Sequence, residues 1–170
     1  MAEKEPLVGI IMGSDSDMDV MSEAAKVLQE FGVPHEVRVV SAHRTPDVMT
    51  AYAQEAYSRG LKVIIAGAGG SAHLPGMTAS ETLLPVLAVP IKRNPEDHEA
   101  LWSSIKMPPG VPLATMPENG ARNAALLAVE ILSLLDKELA QKYAQFRKKQ
   151  HDDVIAVDQK LQAGDTEKNG

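Results

Sequence analysis

Residues 7–32 read LVGIIMGSDSDMDVMSEAAKVLQEFG, and three textures follow one another within them. Leu7–Met12 is an unbroken apolar run, the pattern of a strand buried on both faces. The polar turn GSDSD comes next. Beyond it, apolar residues recur at Val20, Met21, Ala24, Leu28 and Phe31, which is helical spacing, and Gly32 ends the helix. A strand buried on both faces and followed at once by a helix belongs to a parallel sheet with helices on its two sides.

The same order continues down the chain without an internal sequence repeat. Val37–Val40 predicts a second strand, and Met49, Tyr52, Ala53, Ala56 and Tyr57 mark one face of a helix with Pro46 in its first turn and Gly60 at its end. Val63–Ala66 predicts a third strand, followed by a glycine-rich loop and a short helix near Met77–Leu83. Val86–Val89 and Pro112–Met116 are the fourth and fifth strand candidates, and Asn94-Pro95-Glu96-Asp97 reads as a helix start between them. This alternation, with right-handed crossovers, predicts a three-layer α/β/α sandwich around a doubly wound parallel sheet of about five strands, flavodoxin-like or Rossmann-like. Residues 123–135 predict a core helix. Past it the chain turns polar but keeps a stripe at Leu135, Leu139, Tyr143 and Phe146, expected on an extended C-terminal helix docked on another subunit. From Gln162 the composition is that of a disordered tail, residues 162–170.

Composition narrows the function. Net charge is −6, which argues against a broad nucleic-acid surface but leaves room for a local anion site. Without cysteine there is no disulfide, thiolate nucleophile or Cys-ligated metal. No stretch approaches a membrane span and the N-terminal apolar run is too short for a signal peptide, so a cytoplasmic protein is expected. Aromatic residues are only 4 % of the chain, which makes the core aliphatic and base-stacking platforms unexpected.

In a doubly wound sheet, ligands bind outside the carboxyl ends of the strands. Three polar turns fall there: residues 12–17 (MGSDSD), 41–46 (SAHRTP) and 66–76 (AGAGGSAHLPG). The first is neither a Walker loop nor a GxGxxG fingerprint. Ser14, Ser16 and Asp17 exceed what capping a helix requires, and Arg44 can add a charge-assisted contact to an anion. Asp17 suits a ribose hydroxyl or ring nitrogen and repels phosphate. The third turn is nearly free of side chains, so backbone can approach a ligand closely, with Gly69 and Gly70 as candidate positions. Of five histidines, His35, His98 and His151 read as solvent-exposed, whereas His43 and His73 follow strand ends. Histidine is the natural general acid–base near neutral pH. No His-x-x-x-His or carboxylate cluster has metal-ligand spacing, so no metal site is expected. Thr45-Pro46 already supplies a helix start, leaving His43 and Arg44 to solvent or to a ligand. The pattern predicts an enzyme that binds a small phosphorylated ligand and moves protons with histidine. A non-catalytic nucleotide- or flavin-binding module is the alternative from another class.

Five blocks, GSDSDMDVM, SAHRTPD, AGAGGSAHLPGM, MPPGVPLATM and NGARNAALLA, together resemble the PurE family of purine biosynthesis, the N5-carboxyaminoimidazole ribonucleotide mutases, from about Leu7 to Leu139. The resemblance implies a three-layer fold and a homo-octamer whose C-terminal helices pack on neighbours, so that residues 1–161 form one catalytic domain including that helix. It implies an isomerase with no metal, biotin or nucleotide cofactor, in which a carboxylate moves from the exocyclic nitrogen of an aminoimidazole ribonucleotide to ring carbon C4 through a CO2 intermediate. It places the proton shuttle on His43 and ribonucleotide binding on Ser14, Asp17 and Arg44, with Ser16 and Ser41 as additions and His73 in support. Ala66–Ala72 would line the cleft, closed by Met77 or residues 106–110. IKRNPEDHEALWSSIKMPPG and Pro117-Glu118 depart from the mutase wording. The first leans toward the related class that carboxylates aminoimidazole ribonucleotide directly with CO2.

Overall fold

The computed structural model describes residues 5–163. It divides into a compact unit up to Ile131 and a second from Leu132 onward. In the first unit, β1 (Val8–Met12), β2 (His35–Val39), β3 (Val63–Gly69), β4 (Val86–Ile91) and β5 (Ala114–Thr115) form one all-parallel sheet in the order β2-β1-β3-β4-β5. A 3-10 turn (Asp15–Asp17) and α1 (Met18–Phe31) follow β1, α2 (Pro46–Glu55) follows β2, α3 (His73–Glu81) follows β3, and α4 (Glu99–Ile105) follows β4. α5 (Ala121–Ser133) comes after β5 and buries Ala121, Ala124, Ala125, Ala128 and Val129. The expected doubly wound sheet of five strands is the one that forms.

Alternation along the strands assigns each face. Ile11 of β1 and Ile64, Ala66 and Ala68 of β3 join Met49, Tyr52, Leu74 and Ala100 of α2, α3 and α4 in one apolar cluster. The opposite face receives α1, where Met21 lies so close to Gly67 that a Cβ on Gly67 would stand 2.3 Å from the Met21 sulfur. The small residues of β3 are therefore partly a packing requirement, since only a bare backbone lets α1 approach this closely. Gly32 ends α1 in the left-handed conformation at φ 71°, as its position after the apolar stripe predicts.

Several boundaries differ from the sequence expectation. α2 ends at Glu55, so Tyr57 leaves the helix face and is 67 % exposed. Asn94–Asp97 does not start a helix. The Asn94 side chain accepts from the Glu96 N–H and the Asp97 side chain from the Glu99 N–H, two local turns that delay α4 to Glu99. The fifth strand shrinks to two residues, and the third helix begins at His73 rather than near Met77. His35 is half-buried on edge strand β2, its Nδ1 2.9 Å from the Val33 carbonyl.

Tyr52 ties that edge to α2. Its hydroxyl donates to Glu36 (2.8 Å), whose second oxygen accepts from Arg59 (2.5 Å). Burial, then the bond to Glu36, pushes the phenol well above its ordinary pKa. The native state thus holds this proton more tightly than the unfolded chain. The associated stability is complete below pH ~10, the ordinary tyrosine value, and is lost as pH rises beyond it. Urea midpoints measured from pH ~8 to ~11 are expected to fall less steeply at the alkaline end in Tyr52→Phe than in the parent; equal slopes would refute the assignment.

The second unit contains α6 (Lys137–Gln162), which starts where the Asp136 side chain accepts from the N–H groups of Glu138 and Leu139, both at 3.0 Å. Its 26 residues extend about 39 Å. Leu139 is its one buried residue among those described, and Val154, Ile155, Val157 and Leu161 stand exposed. Leu135, placed on the stripe by spacing, lies before the helix and is 97 % exposed. The helix carries on to Gln162, the first residue of the expected disordered tail, and residues 164–170 of that tail lie outside those described.

Candidate active site

Sheet order reverses between β1 and β3, so the crevice is expected at their carboxyl ends. Register brings the ends level: Met12 pairs with Val39 on one side and with Gly67 on the other, and Gly69 pairs with Ile91. The turns after four strands therefore emerge at one edge and surround a cleft of about 560 Å3. Its walls are Gly13, Ser14 and Asp17 after β1, Ser41–Arg44 after β2, Ala68–Ser71 and His73 at and beyond the end of β3, and Ile91, Arg93 and Asp97 at and beyond the end of β4.

Each wall is fixed locally. Ser41 and Thr45 close the second turn on themselves: the Ser41 N–H donates to the Thr45 hydroxyl, which donates to the Ser41 carbonyl, both at 3.1 Å. Thr45 occupies the N-cap position of α2, yet its hydroxyl serves this turn instead of the helix, and Pro46 provides the helix start. Arg44 then reaches across to the first turn, donating to the Gly13 carbonyl (2.9 Å). In the third turn, Gly70 adopts φ 59° with open space around it, the left-handed step that aims the following residues into α3. α4 braces that turn, for Glu99 accepts from the Ser71 hydroxyl (2.5 Å) and the Ser103 hydroxyl accepts from the Ala72 N–H (3.0 Å).

These supports bring His43 and His73 together. His43 Nε2 lies 2.7 Å from His73 Nδ1, with ring centroids 4.9 Å apart and planes at 85°. One ring donates and the other accepts, so a single proton occupies the space between those nitrogens. Both rings are exposed on the cleft. A histidine pair that passes one proton, beside an arginine, two serines and a buried aspartate, is equipped for proton transfer on a polar, anionic ligand.

The family model described as AIR carboxylase matches residues 7–153. The chain belongs to this family. Similar proteins of this family include both mutases and carboxylases by name. An N5-carboxyaminoimidazole ribonucleotide mutase of Aquifex aeolicus is 60 % identical over 139 residues, 81 % of this chain and 83 % of that protein. A phosphoribosylaminoimidazole carboxylase of Saccharomyces cerevisiae is 56 % identical over 159 residues, 93 % of this chain; the chain spans 28 % of the length of that protein. The crystal structure of Treponema denticola PurE superposes with a TM-score of 0.84 at 34 % identity, covering 92 % of this chain and 98 % of that one.

Within this family member, the positions singled out by sequence are Ser14, Ser16, Asp17, Ser41, His43, Arg44, Gly69, Gly70 and His73. All but Ser16 line the cleft. Ser16 stands behind Ser14, with their hydroxyl oxygens 3.0 Å apart. Met77 and residues 106–110 are not among the lining of the cleft: Met77 packs on the core, and residues 107–110 line a separate cavity. Ala66 is buried in the sheet, and Gly67 packs against Met21.

Sequence reasoning missed Arg93. Its guanidinium meets the Asp17 carboxylate at 2.5 Å and the Ser16 hydroxyl at 2.7 Å. The signal was available, because Lys92-Arg93 follows a parallel strand as directly as the other three turns do. His98 is exposed as expected but paired, with Nδ1 2.7 Å from Glu118, which also meets Lys92 at 3.3 Å. Partial desolvation pushes the Glu118 carboxyl upward, and the bonds from His98 and Lys92 outweigh it and hold the group below the usual range.

Proposed function

We propose that the protein converts N5-carboxyaminoimidazole ribonucleotide to 4-carboxy-5-aminoimidazole ribonucleotide. The observation that carries this reading is the hydrogen-bonded His43–His73 pair in the same cleft as Ser14, Asp17, Ser41 and Arg44. The mutase name of relatives that match over most of their own length supports it. Ser14, Ser41 and Arg44 hold the phosphate end and Asp17 takes ribose hydroxyls, with Gly69 and Gly70 presenting backbone to the ring. His43 donates a proton to the exocyclic nitrogen as the N–C bond of the carbamate breaks, releasing CO2 and the free amine. The enamine-like C4 attacks the trapped CO2, and His43 recovers a proton from C4, so the protonation state is restored over the cycle. His73 accepts from or donates to His43 Nε2 and fixes which tautomer faces the ligand.

The test is an assay with each substrate, without metal or ATP. Conversion of the carbamate without added CO2 is expected. A protein that ignored the carbamate and consumed aminoimidazole ribonucleotide only with CO2 would be the direct carboxylase, the second reading, which the 56 % identity to the yeast carboxylase favours.

The reading extends to a cytoplasmic homo-oligomer, an octamer, assembled through α6. Val154, Val157 and Leu161, exposed on one face of this helix, support it. In sedimentation, Val157→Glu combined with Leu161→Glu is expected to yield smaller species than the parent chain; an unchanged sedimentation coefficient would assign assembly to another surface.

A further inference from the structure

Asp17 poses an electrostatic problem. Its side chain is 3 % exposed and it lines a cleft read above as binding a phosphorylated ligand, with Asp97 lining the same cleft and Asp15 two residues before it in sequence. A carboxylate in that position repels a phosphate dianion. Arg93 answers it, contacting Asp17 at 2.5 Å while its own side chain stays 58 % exposed. The same guanidinium donates to Ser16, whose hydroxyl is 3.0 Å from that of Ser14.

Arg93 is held in register from behind. The neighbouring Lys92 donates its N–H to the Asn119 side-chain oxygen (2.9 Å), and the Asn119 amide returns a bond to the Lys92 carbonyl (3.3 Å). Asn119 itself sits at φ 57° and donates its backbone N–H to the Pro90 carbonyl (2.9 Å). The Lys92 ammonium and His98 both meet Glu118. The two segments whose wording departs from the mutases, around Lys92-Arg93 and Pro117-Glu118, are thus one bonded unit directly behind Arg93.

We propose that Arg93 is a positioning residue of the substrate site: it cancels the charge of Asp17, so that a ribonucleotide carrying phosphate can lie against it. The inference rests on the ribonucleotide reading above. A charge-assisted contact of this kind, once lost, corresponds to an affinity change of about 10- to 100-fold.

The test measures binding of 4-carboxy-5-aminoimidazole ribonucleotide, and of its nucleoside without phosphate, by calorimetry alongside steady-state kinetics. Arg93→Met is expected to weaken ribonucleotide binding about 10- to 100-fold and raise KM in step, with kcat and nucleoside affinity within about threefold. In an Asp17→Asn background, where no charge needs cancelling, the further loss from Arg93→Met is expected to shrink to less than about threefold. Arg93→Lys, which keeps the charge, restores most of the binding and guards against a folding artefact. Equal losses for nucleotide and nucleoside, or a full loss persisting beside Asp17→Asn, would overturn the proposal. If the parent chain binds the ribonucleotide and Arg93→Met binds it equally well, Arg93 loses this assignment and the mutase reading stands. If the parent chain neither binds nor converts the ribonucleotide, both fall.

Discussion

His43→Asn is expected to lower kcat by about 10^2- to 10^4-fold, the span that a positioned general acid–base contributes, and to leave ligand affinity within a few fold. The asymmetry follows from geometry. His43 is exposed and bonded through Nε2 to His73, so its replacement disturbs no core packing. Asparagine keeps a polar group of similar reach but cannot take up and release a proton at neutral pH. The proposed anchoring groups Ser14, Asp17 and Arg44 belong to supports that do not involve the His43 side chain: Arg44 is held by Gly13 and Ser41, and Asp17 by Arg93. Calorimetry on the variant with the 4-carboxy product, together with turnover of the carbamate, separates the two effects. A variant that turned over at the parent rate would leave the cleft as a binding module, and one that lost affinity and rate together would make His43 an anchor.

Gly67→Val is expected to cost about 3 kcal/mol, the upper part of the usual range for overpacking a filled core. A Cβ at Gly67 would lie 2.3 Å from Met21 Sδ, 2.9 Å from its Cε and 3.0 Å from its Cγ, so more than the flexible end of that side chain must move. Valine adds two further carbons to the conflict. For a chain of this size the loss corresponds to a fall in Tm of roughly 6–12 °C. Met21→Ala alone should also destabilise, by leaving a cavity. Combined with Gly67→Val it should recover part of the loss, because the two side chains compete for the same volume. Thermal melts of the four proteins give this coupling. Strict additivity would mean that α1 does not press on β3 at Gly67. Gly67 also pairs with Met12, the last residue of β1, so strain there reaches the turn that carries Ser14 and Asp17.

The parts of the fold legible in sequence were those where burial leaves a continuous mark. β1 and β3 are buried on both faces and read as apolar runs, whereas β2, at the sheet edge with Val37, Arg38 and Val39 exposed, gave only an approximate extent. The fourth strand was expected over Val86–Val89, ending before Pro90, which has no N–H for a ladder. β5 pairs with only Leu87 and Ala88, so the β5-facing side of β4 is already an edge at Pro90, and the strand continues to Ile91. That misplaced end concealed Arg93. The contact between His43 and His73 joins residues thirty positions apart and depends on the level ends of three strands; spacing placed both near the cleft but could not bring their rings into contact. The turn after β2 was legible in composition, yet Thr45 bonds to Ser41 instead of capping α2, a choice between two local partners that sequence leaves open.

The brace from α4 has an evolutionary consequence. Glu99 and Ser103 bond to the turn that carries His73 toward His43, and neither is itself a lining residue of the cleft. On the proposed function, a descendant that kept every cleft residue and altered these two would inherit the same chemistry at a different tempo, since the distance between the rings would drift while the histidines stayed the same. Selection on rate can therefore act at a helix that contributes no atom to the reaction.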